Sequence, residues 1–198
     1  CAEQGFYRDL VRFAKKNRII IVSDLAYSEI SYDGYQPPSL LSVSGAKEVT
    51  IEFHSLFKTF NMTGWRIGWA CGNKELVWAL ARVKANIDSG IFTAIQKAGA
   101  AALLHKGDHL ERMKALYQER RDVFVGGLNS IGWKIERPRA AFYVWARIPG
   151  GRDSIGMAGR LLRDADIVAT PGVGFGKYGE GFVRFALVEN EHRIRQAT

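Results

Sequence analysis

The residue with the clearest chemical potential is a lysine in aromatic surroundings. Lys58 lies in the stretch IEFHSLFKTFNMTGWRIGW, close in sequence to Phe53, Phe57, Phe60 and Trp65. Lysine is rarely interior without a functional reason, and desolvation favours its neutral, nucleophilic amine. We therefore expect Lys58 to form a Schiff base with a carbonyl ligand. The alternative is a surface lysine whose aliphatic stem crosses an aromatic loop.

An aspartate and a tyrosine follow an apolar run earlier in the chain. Asp24 directly follows IIIVS, and Tyr27 comes three residues later. An unbroken β-branched run is typical of a parallel strand covered on both faces, and open α/β sheets bind ligands at the carboxyl ends of their strands. Taken singly, Asp24 could cap a turn and Tyr27 could be a core aromatic residue.

A serine and an arginine flank the lysine. Ser55 precedes Lys58 by three residues, and Arg66 follows it by eight. Both residue types bind phosphate, serine through its hydroxyl and arginine through its planar fork of donors. A phosphorylated ligand that forms an imine with a lysine is typical of pyridoxal phosphate. The ring nitrogen of this cofactor needs a carboxylate such as Asp24, and its 3′-oxygen needs a donor such as Tyr27. One cofactor thus accounts for all five residues.

The first part of the chain has the pattern of a helix followed by strands. Apolar residues at helical spacing predict a helix with one core face, formed by Phe6, Leu10, Phe13 and Ala14. The run 18–22 predicts a strand covered on both faces, and two further strands are predicted at 49–53 and 66–71. A helix that leads into a buried strand is half of a βαβ unit, so we expect a truncated chain whose N-terminal part completes the sheet.

The rest of the chain is predicted to be helical and then mixed. The helices are expected at 74–84, at 91–128 with a bend at Gly107, and at 154–163. The strands are expected at 133–136, 141–148 and 181–187. This second pattern is typical of a smaller α+β domain, and we place the domain boundary inside the long helix.

Four segments resemble one enzyme family. The chain resembles the class I/II, fold type I pyridoxal-phosphate aminotransferases in the segments DLAYSEISYDGYQPPSL, SLFKTFNMTGWRIGW, TPGVGFG and FVRFALVEN. The family has similar segments in the same order, and the resemblance covers essentially the whole chain. The stretch KANIDSGIFTAIQKAG resembles the LL-diaminopimelate aminotransferase-like branch. The resemblance implies an α/β fold of this type, with residues 1–105 as the later half of the large parallel-sheet domain and 106–198 as most of the small α+β domain.

The resemblance also implies a role for each matching residue. Lys58 would carry the cofactor and shuttle a proton, Asp24 would bind the pyridine nitrogen, and Tyr27 would bind the 3′-oxygen. Ser55 and Arg66 would hold the phosphate.

The resemblance also implies a substrate-binding residue, and the sequence departs from the family pattern at two places. Arg184, in FVRFAL, would grip the substrate α-carboxylate, and its alternative is a surface ion pair. Phe57 stands where the family usually has a small residue, so its ring is expected to crowd the cofactor. Arg139 and Ala140 precede Ala141-Phe142-Tyr143, whereas the family more often has a glycine before the aromatic pair, so the substrate-side loop is expected to differ. Other cofactor-binding segments of the family would lie upstream of Cys1.

The expected reaction is amino transfer between an α-amino acid and a 2-oxo acid in a homodimeric enzyme. We expect either an LL-diaminopimelate aminotransferase of lysine biosynthesis or an aspartate/alanine-type aminotransferase. One alternative is a catalytically incompetent fragment, and we expect the isolated chain to be inactive. Another is a fold type I lyase or synthase, because these share the lysine and the carboxylate.

Composition argues against several other classes. With 47% hydrophobic and 24% charged residues the chain is expected to be soluble and globular, and no apolar run has the roughly 18 to 20 residues of a membrane span. The net charge of +8 is dispersed along the sequence, which argues against a nucleic-acid partner. Cys1 and Cys71 lie far apart without a CxxC motif, which favours a reduced, cytoplasmic protein without disulfides or a metal site.

Overall fold

A computed structural model describes residues 1–198, which divide into two compact units, Cys1–Arg112 and Met113–Thr198. The first unit has an α/β arrangement, and the second packs helices with an antiparallel sheet. None of the helices combines the length and the apolar character needed to cross a membrane. The assignment of residues 1–105 and 106–198 to a large and a small domain stays a prediction.

The first unit contains a three-stranded sheet and four helices. Its elements are α1 (Gln4–Asn17), β1 (Ile21–Asp24), β2 (Thr50–Ser55), α2 (Leu56–Thr59), β3 (Gly68–Gly72), α3 (Lys74–Ile87) and α4 (Thr93–Leu104). The strand order is β1-β2-β3, with β1 and β2 parallel and β3 antiparallel to β2. The sheet predicted to be parallel is therefore mixed at β3.

Helix α1 packs on the sheet through fewer residues than predicted. Val11 and Ala14 are buried, and Val11 belongs to a core cluster with Leu40. Phe6 and Phe13 are exposed, so the predicted apolar face was wrong at these two positions. The helix buries only the narrow stripe that meets the loop and sheet residues of this cluster.

Strand β1 is not covered on both faces, which corrects the prediction. It begins at Ile21, and its residues alternate between half-buried and exposed, with Val22 67% exposed. Val22 and Asp24 lie on the same face of β1 and are both exposed, so that face of the strand is not covered.

The predicted long helix over 91–128 is two helices, α4 and α5 (His109–Ser130). His105 caps α4 with an extended backbone, and a Cβ at Gly107 would collide with the His105 ring. Residues 105–108 are not helical, so the chain leaves the helical conformation between the two helices. Gly107 therefore marks a break between helices and not a bend within one.

The second unit packs α5, α6 (Ser154–Ala165) and α7 (Glu191–Gln196) with a sheet of β4 (Tyr143–Arg147), β5 (Thr170–Pro171) and β6 (Phe182–Ala186). The strand order is β4-β6-β5, and both pairs are antiparallel. The sheet residues Val144 and Val183 are fully buried. On the α5 side, Phe124 packs on Phe185 with ring centroids 4.9 Å apart.

The predicted strand at 133–136 does not form, although Trp133 and Ile135 are buried. The Asn129 side chain takes the place of a neighbouring strand. Its Oδ1 accepts the Ile135 N–H at 2.7 Å, and its Nδ2 donates to the Ile135 carbonyl at 3.2 Å. The backbone of this segment is thus satisfied without a sheet partner.

Candidate active site

The junction between β2 and α2 sets the position of Lys58. Ser55 ends β2 and caps α2, because its Oγ accepts the Phe57 N–H at 3.2 Å. Leu56 is buried, and its N–H donates to the Ile67 carbonyl at 3.2 Å. The short helix is therefore anchored at its start, and Lys58 projects from a defined turn directly after the strand.

The Lys58 amine contacts two aromatic rings. Its Nζ lies 4.8 Å from the Tyr27 ring centroid and 4.1 Å from that of Phe57. The side chain is half-buried, whereas Trp65 is exposed. The structure thus brings together Lys58 and Tyr27, which are far apart in sequence.

Asp24 is the last residue of β1 and lies opposite Phe53 of β2 in the register. Its Oδ1 accepts the Ala26 N–H at 3.3 Å, so one oxygen caps the turn that leads to Tyr27. A carboxylate has about four acceptor sites, so this bond leaves capacity for a ligand donor at the carboxyl end of the strand.

Arg66 lies near the same aromatic ring as Lys58. Its Cζ is 5.9 Å from the Phe57 centroid, and its backbone adopts the left-handed region with φ of 52°. Left-handed backbone is uncommon for a residue with a Cβ, and such positions cluster at functional sites. The Phe57 ring therefore lies near both cations expected to bind the cofactor, and the expectation that this ring crowds the cofactor stays a prediction.

In the second unit, Arg184 lies against two rings. Its Cζ is 4.3 Å from the Tyr143 centroid and 4.4 Å from the Phe175 centroid. Arg184 is half-buried on β6 and pairs with Trp145 on β4 and Thr170 on β5. Arg184 thus contacts aromatic rings, whereas the alternative interpretation placed it in a surface ion pair. A guanidinium held by rings keeps its in-plane donors available for a carboxylate.

Sequence reasoning missed a buried carboxylate beside the site. Glu52 on β2 accepts hydrogen bonds from Ser23 Oγ, Ser39 Oγ and the Leu40 N–H at 3.1, 2.8 and 3.2 Å. Its Oε1 lies 3.1 Å from His54 Nε2. A glutamate inside the apolar stretch TIEF was the available sequence signal. Glu52 ties β1, β2 and the turn at residues 39–40 together.

The Glu52 charge also affects its neighbours. Burial, followed by the Glu52 charge, raises the pKa of the Tyr7 hydroxyl above its usual value. Burial and Glu52 likewise raise the pKa of the Cys71 thiol, against a smaller opposing effect of Lys47. Both groups are therefore kept in their neutral, protonated forms at physiological pH.

The donor set of the first unit fits a phosphorylated aldehyde. Lys58 offers an amine next to the Tyr27 phenol ring, and the Ser55 hydroxyl accepts its capping bond and so has a proton to donate. Arg66 is an exposed cation, and Asp24 is an exposed carboxylate. Amine, phenol, hydroxyl, guanidinium and carboxylate are the groups that pyridoxal phosphate requires.

Comparisons with known proteins agree with this chemistry. The LL-diaminopimelate aminotransferase of Moorella thermoacetica is 50% identical over 196 residues, which are 99% of this chain and 50% of that protein. Substrate-bound BacF from Bacillus subtilis matches with a TM-score of 0.94 and 37% identity, over 99% of this chain and 50% of that one. An aromatic aminotransferase from Pyrococcus horikoshii matches with a TM-score of 0.94 and 29% identity, over 99% and 53%.

The chain spans about half the length of the curated relatives that it matches. The sequence profile of the family described as aminotransferase class I and II matches residues 2–197. The fold type I assignment made from the sequence is confirmed by these structural neighbours. The lysine after β2, the neighbouring phenol and the matching profile have one common explanation: the chain belongs to the class I and II aminotransferase family.

Proposed function

We propose that this chain provides the cofactor lysine and the carboxylate-binding arginine of a pyridoxal-phosphate-dependent aminotransferase. The observation that carries the proposal is the contact of the Lys58 amine with the Tyr27 ring, directly after β2. Members of the family depend on pyridoxal phosphate, and the residues above offer the groups that this cofactor needs. The reaction would move an amino group between an α-amino acid and a 2-oxo acid.

Each cofactor residue has a defined task in this proposal. Lys58 would hold the cofactor covalently, Tyr27 would donate to its 3′-oxygen, and Asp24 would keep its ring nitrogen protonated. Ser55 and Arg66 would bind the phosphate by a hydroxyl bond and a charge-assisted bond. When bound, pyridoxal phosphate supplies the carbonyl for the amino group and an electron sink for the Cα–H bond.

Proton transfer and substrate orientation fall to two residues. The Lys58 amine would accept the proton from the substrate Cα as a general base and return it as an acid. Arg184 would bind the α-carboxylate through two parallel hydrogen bonds. Fixing that group selects which Cα bond is aligned for cleavage, and such orientation is a major contribution to rate. The rings of Tyr143 and Phe175 would keep the Arg184 guanidinium in place.

The proposed substrate is LL-diaminopimelate, in lysine biosynthesis, because several relatives at about half identity carry that name. An aspartate- or alanine-type substrate is the alternative, since the matching structures include enzymes named for aromatic and aspartate substrates. We further propose a homodimer in the cytoplasm, where the two free cysteines would stay reduced.

Covalent trapping tests the cofactor assignment directly. The chain is incubated with pyridoxal phosphate, reduced with borohydride, digested and analysed by mass spectrometry. We expect one labelled peptide, containing Lys58, and no label in Lys58→Ala. Lys106→Ala is the matched control, because Lys106 lies in the exposed turn between α4 and α5, and it should label normally. Label on other lysines at similar yield, or no label at all, would contradict the assignment and favour an inert fragment.

An activity panel tests the reaction class in the full-length protein that contains this chain. Amino donors and 2-oxo acids are supplied in pairs, and both products are quantified. Amino transfer requires each amino group lost from the donor to appear on the acceptor. Release of ammonia or carbon dioxide instead would identify a lyase or decarboxylase.

A further inference from the structure

Three metal-ligating side chains that the proposed reaction does not use lie together on one face of the first sheet. Glu52 and Cys71 are directly opposite each other in the β2–β3 register, and His54 follows Glu52 by two residues on the same face. Their ligand atoms all lie within 4.8 Å of one another. Strand pairing brings them together, since Cys71 is distant in sequence and no ligand-spacing motif marks it.

The spacing of the donors matches a small tetrahedral ion. Glu52 Oε1 and His54 Nε2 are 3.1 Å apart. Zinc–nitrogen and zinc–oxygen bonds of about 2.0 to 2.2 Å at a tetrahedral angle place two such donors about 3.3 Å apart. A zinc–sulfur bond of about 2.3 Å places sulfur about 3.6 Å from either donor. The Cys71 sulfur lies within 4.8 Å of the other two ligand atoms, so an approach of about 1.2 Å at most brings it into the position of a third ligand.

The ligands are already oriented by their neighbours. The Glu52 side chain is 1% exposed, and its carboxylate is held by Ser23, Ser39 and the Leu40 N–H. The His54 ring stacks on Trp69, with centroids 5.0 Å apart and planes within 5°. Such outer contacts fix ligand geometry and raise metal affinity. They also separate this cluster from a chance meeting of mobile surface side chains.

Charge and ligand softness select the ion. A glutamate carboxylate and a cysteine thiolate together neutralise a divalent cation, which matters in a half-buried site. A thiolate and an imidazole favour zinc over magnesium or calcium. We propose that Glu52, His54 and Cys71 form a site for one zinc-class divalent cation, with water as the fourth ligand. Binding releases the Cys71 thiol proton to solvent, and the neutral His54 ring binds the ion through Nε2.

The inference does not depend on the proposed function. His54 directly precedes Ser55, which caps the helix of Lys58, so the ion would join β2 to β3 next to that helix. An ion that binds only the folded chain stabilises it by mass action. We therefore expect zinc to raise the thermal midpoint of the chain.

The test is a titration of the chain with zinc, and with cobalt as a spectroscopic probe. We expect one ion per chain and a thiolate-to-cobalt charge-transfer band. Cys71→Ser and His54→Gln should each weaken binding at least tenfold and remove the thermal shift. The controls are Cys1→Ser and His192→Gln, which should bind like the unmodified chain. The Cys1 control is essential, because Cys1 is exposed and is the other thiol of the chain.

A second measurement needs no variant. Alkylation rates of the two cysteines are compared with and without zinc by mass spectrometry. We expect zinc to slow alkylation of Cys71 at least tenfold and to leave Cys1 unchanged. Equal Cys71 rates in both conditions would overturn the site, as would binding that survives Cys71→Ser and is lost in Cys1→Ser.

Discussion

Removing the Phe57 ring should strengthen cofactor binding. The ring centroid lies 4.1 Å from Lys58 Nζ and 5.9 Å from Arg66 Cζ, the two cations proposed to bind the cofactor. A cation–π contact at an exposed site is worth about 0.5 to 1 kcal/mol. Two such contacts must be given up when the cations turn to the cofactor, a cost of about 1 to 2 kcal/mol. Because 1.4 kcal/mol is about tenfold in affinity, Phe57→Ser should lower the Kd for pyridoxal phosphate by about 5- to 30-fold.

The assay is a cofactor titration followed by absorbance, with Phe57→Leu as the matched variant. Leucine keeps the apolar bulk but has no ring face. Higher affinity for pyridoxal phosphate in both variants would therefore identify the attraction between the ring and the cations. Higher affinity in Phe57→Ser alone would identify crowding of the cofactor by a bulky side chain. Urea unfolding of each variant separates affinity from stability. An unchanged or weaker affinity in Phe57→Ser would refute the reasoning, because the ring would then not compete for the cations.

Three further predictions concern the second unit. Arg184→Ala should raise KM for α-carboxylate substrates far more than it lowers kcat, and steady-state kinetics with an unchanged KM would remove this role from Arg184. Hydrogen bonds from the backbone N–H groups of Gly181 and Ser154 lower the pKa of Glu180, so its contribution to stability is present above its ordinary pKa of 4.5 and is lost as pH falls through the lowered value. Glu180→Gln should therefore flatten the acid limb of a plot of unfolding free energy against pH, and an unaltered acid limb would contradict the bonding. Asn129→Ala should lower the free energy of unfolding by about 1 to 3 kcal/mol in urea, because it removes two hydrogen bonds to the Ile135 backbone, and a change near zero would show that water replaces the amide.

Several features were predictable because they depend on neighbouring residues alone. The helix that carries Lys58 starts at Ser55, a residue type that caps helices, directly after an apolar strand. Helix α1 contains the apolar residues that predicted it, and α3 and α6 start where they were predicted, directly after the capping residues Asn73 and Asp153. The order of motifs was sufficient to predict the family, which the profile match confirms.

Other features depend on residues that are distant in sequence. Periodicity shows which side chains share a face but not whether another element covers that face, so only the tertiary structure showed that Val22 is exposed. The Asn129 amide replaced a strand partner for Ile135 through contacts that no spacing rule describes.

The sequence by itself determined the α/β class and the family, and it predicted the residues that we propose to bind a phosphorylated aldehyde. Only the tertiary structure decided that the Phe57 ring lies near both Lys58 and Arg66, and that Cys71 meets Glu52 and His54. The physical reason is that side-chain type and local spacing are properties of a short segment. Strand register and ring contact depend instead on how distant segments pack, and one residue of slip in the β2–β3 register would place Cys71 on the opposite face from Glu52.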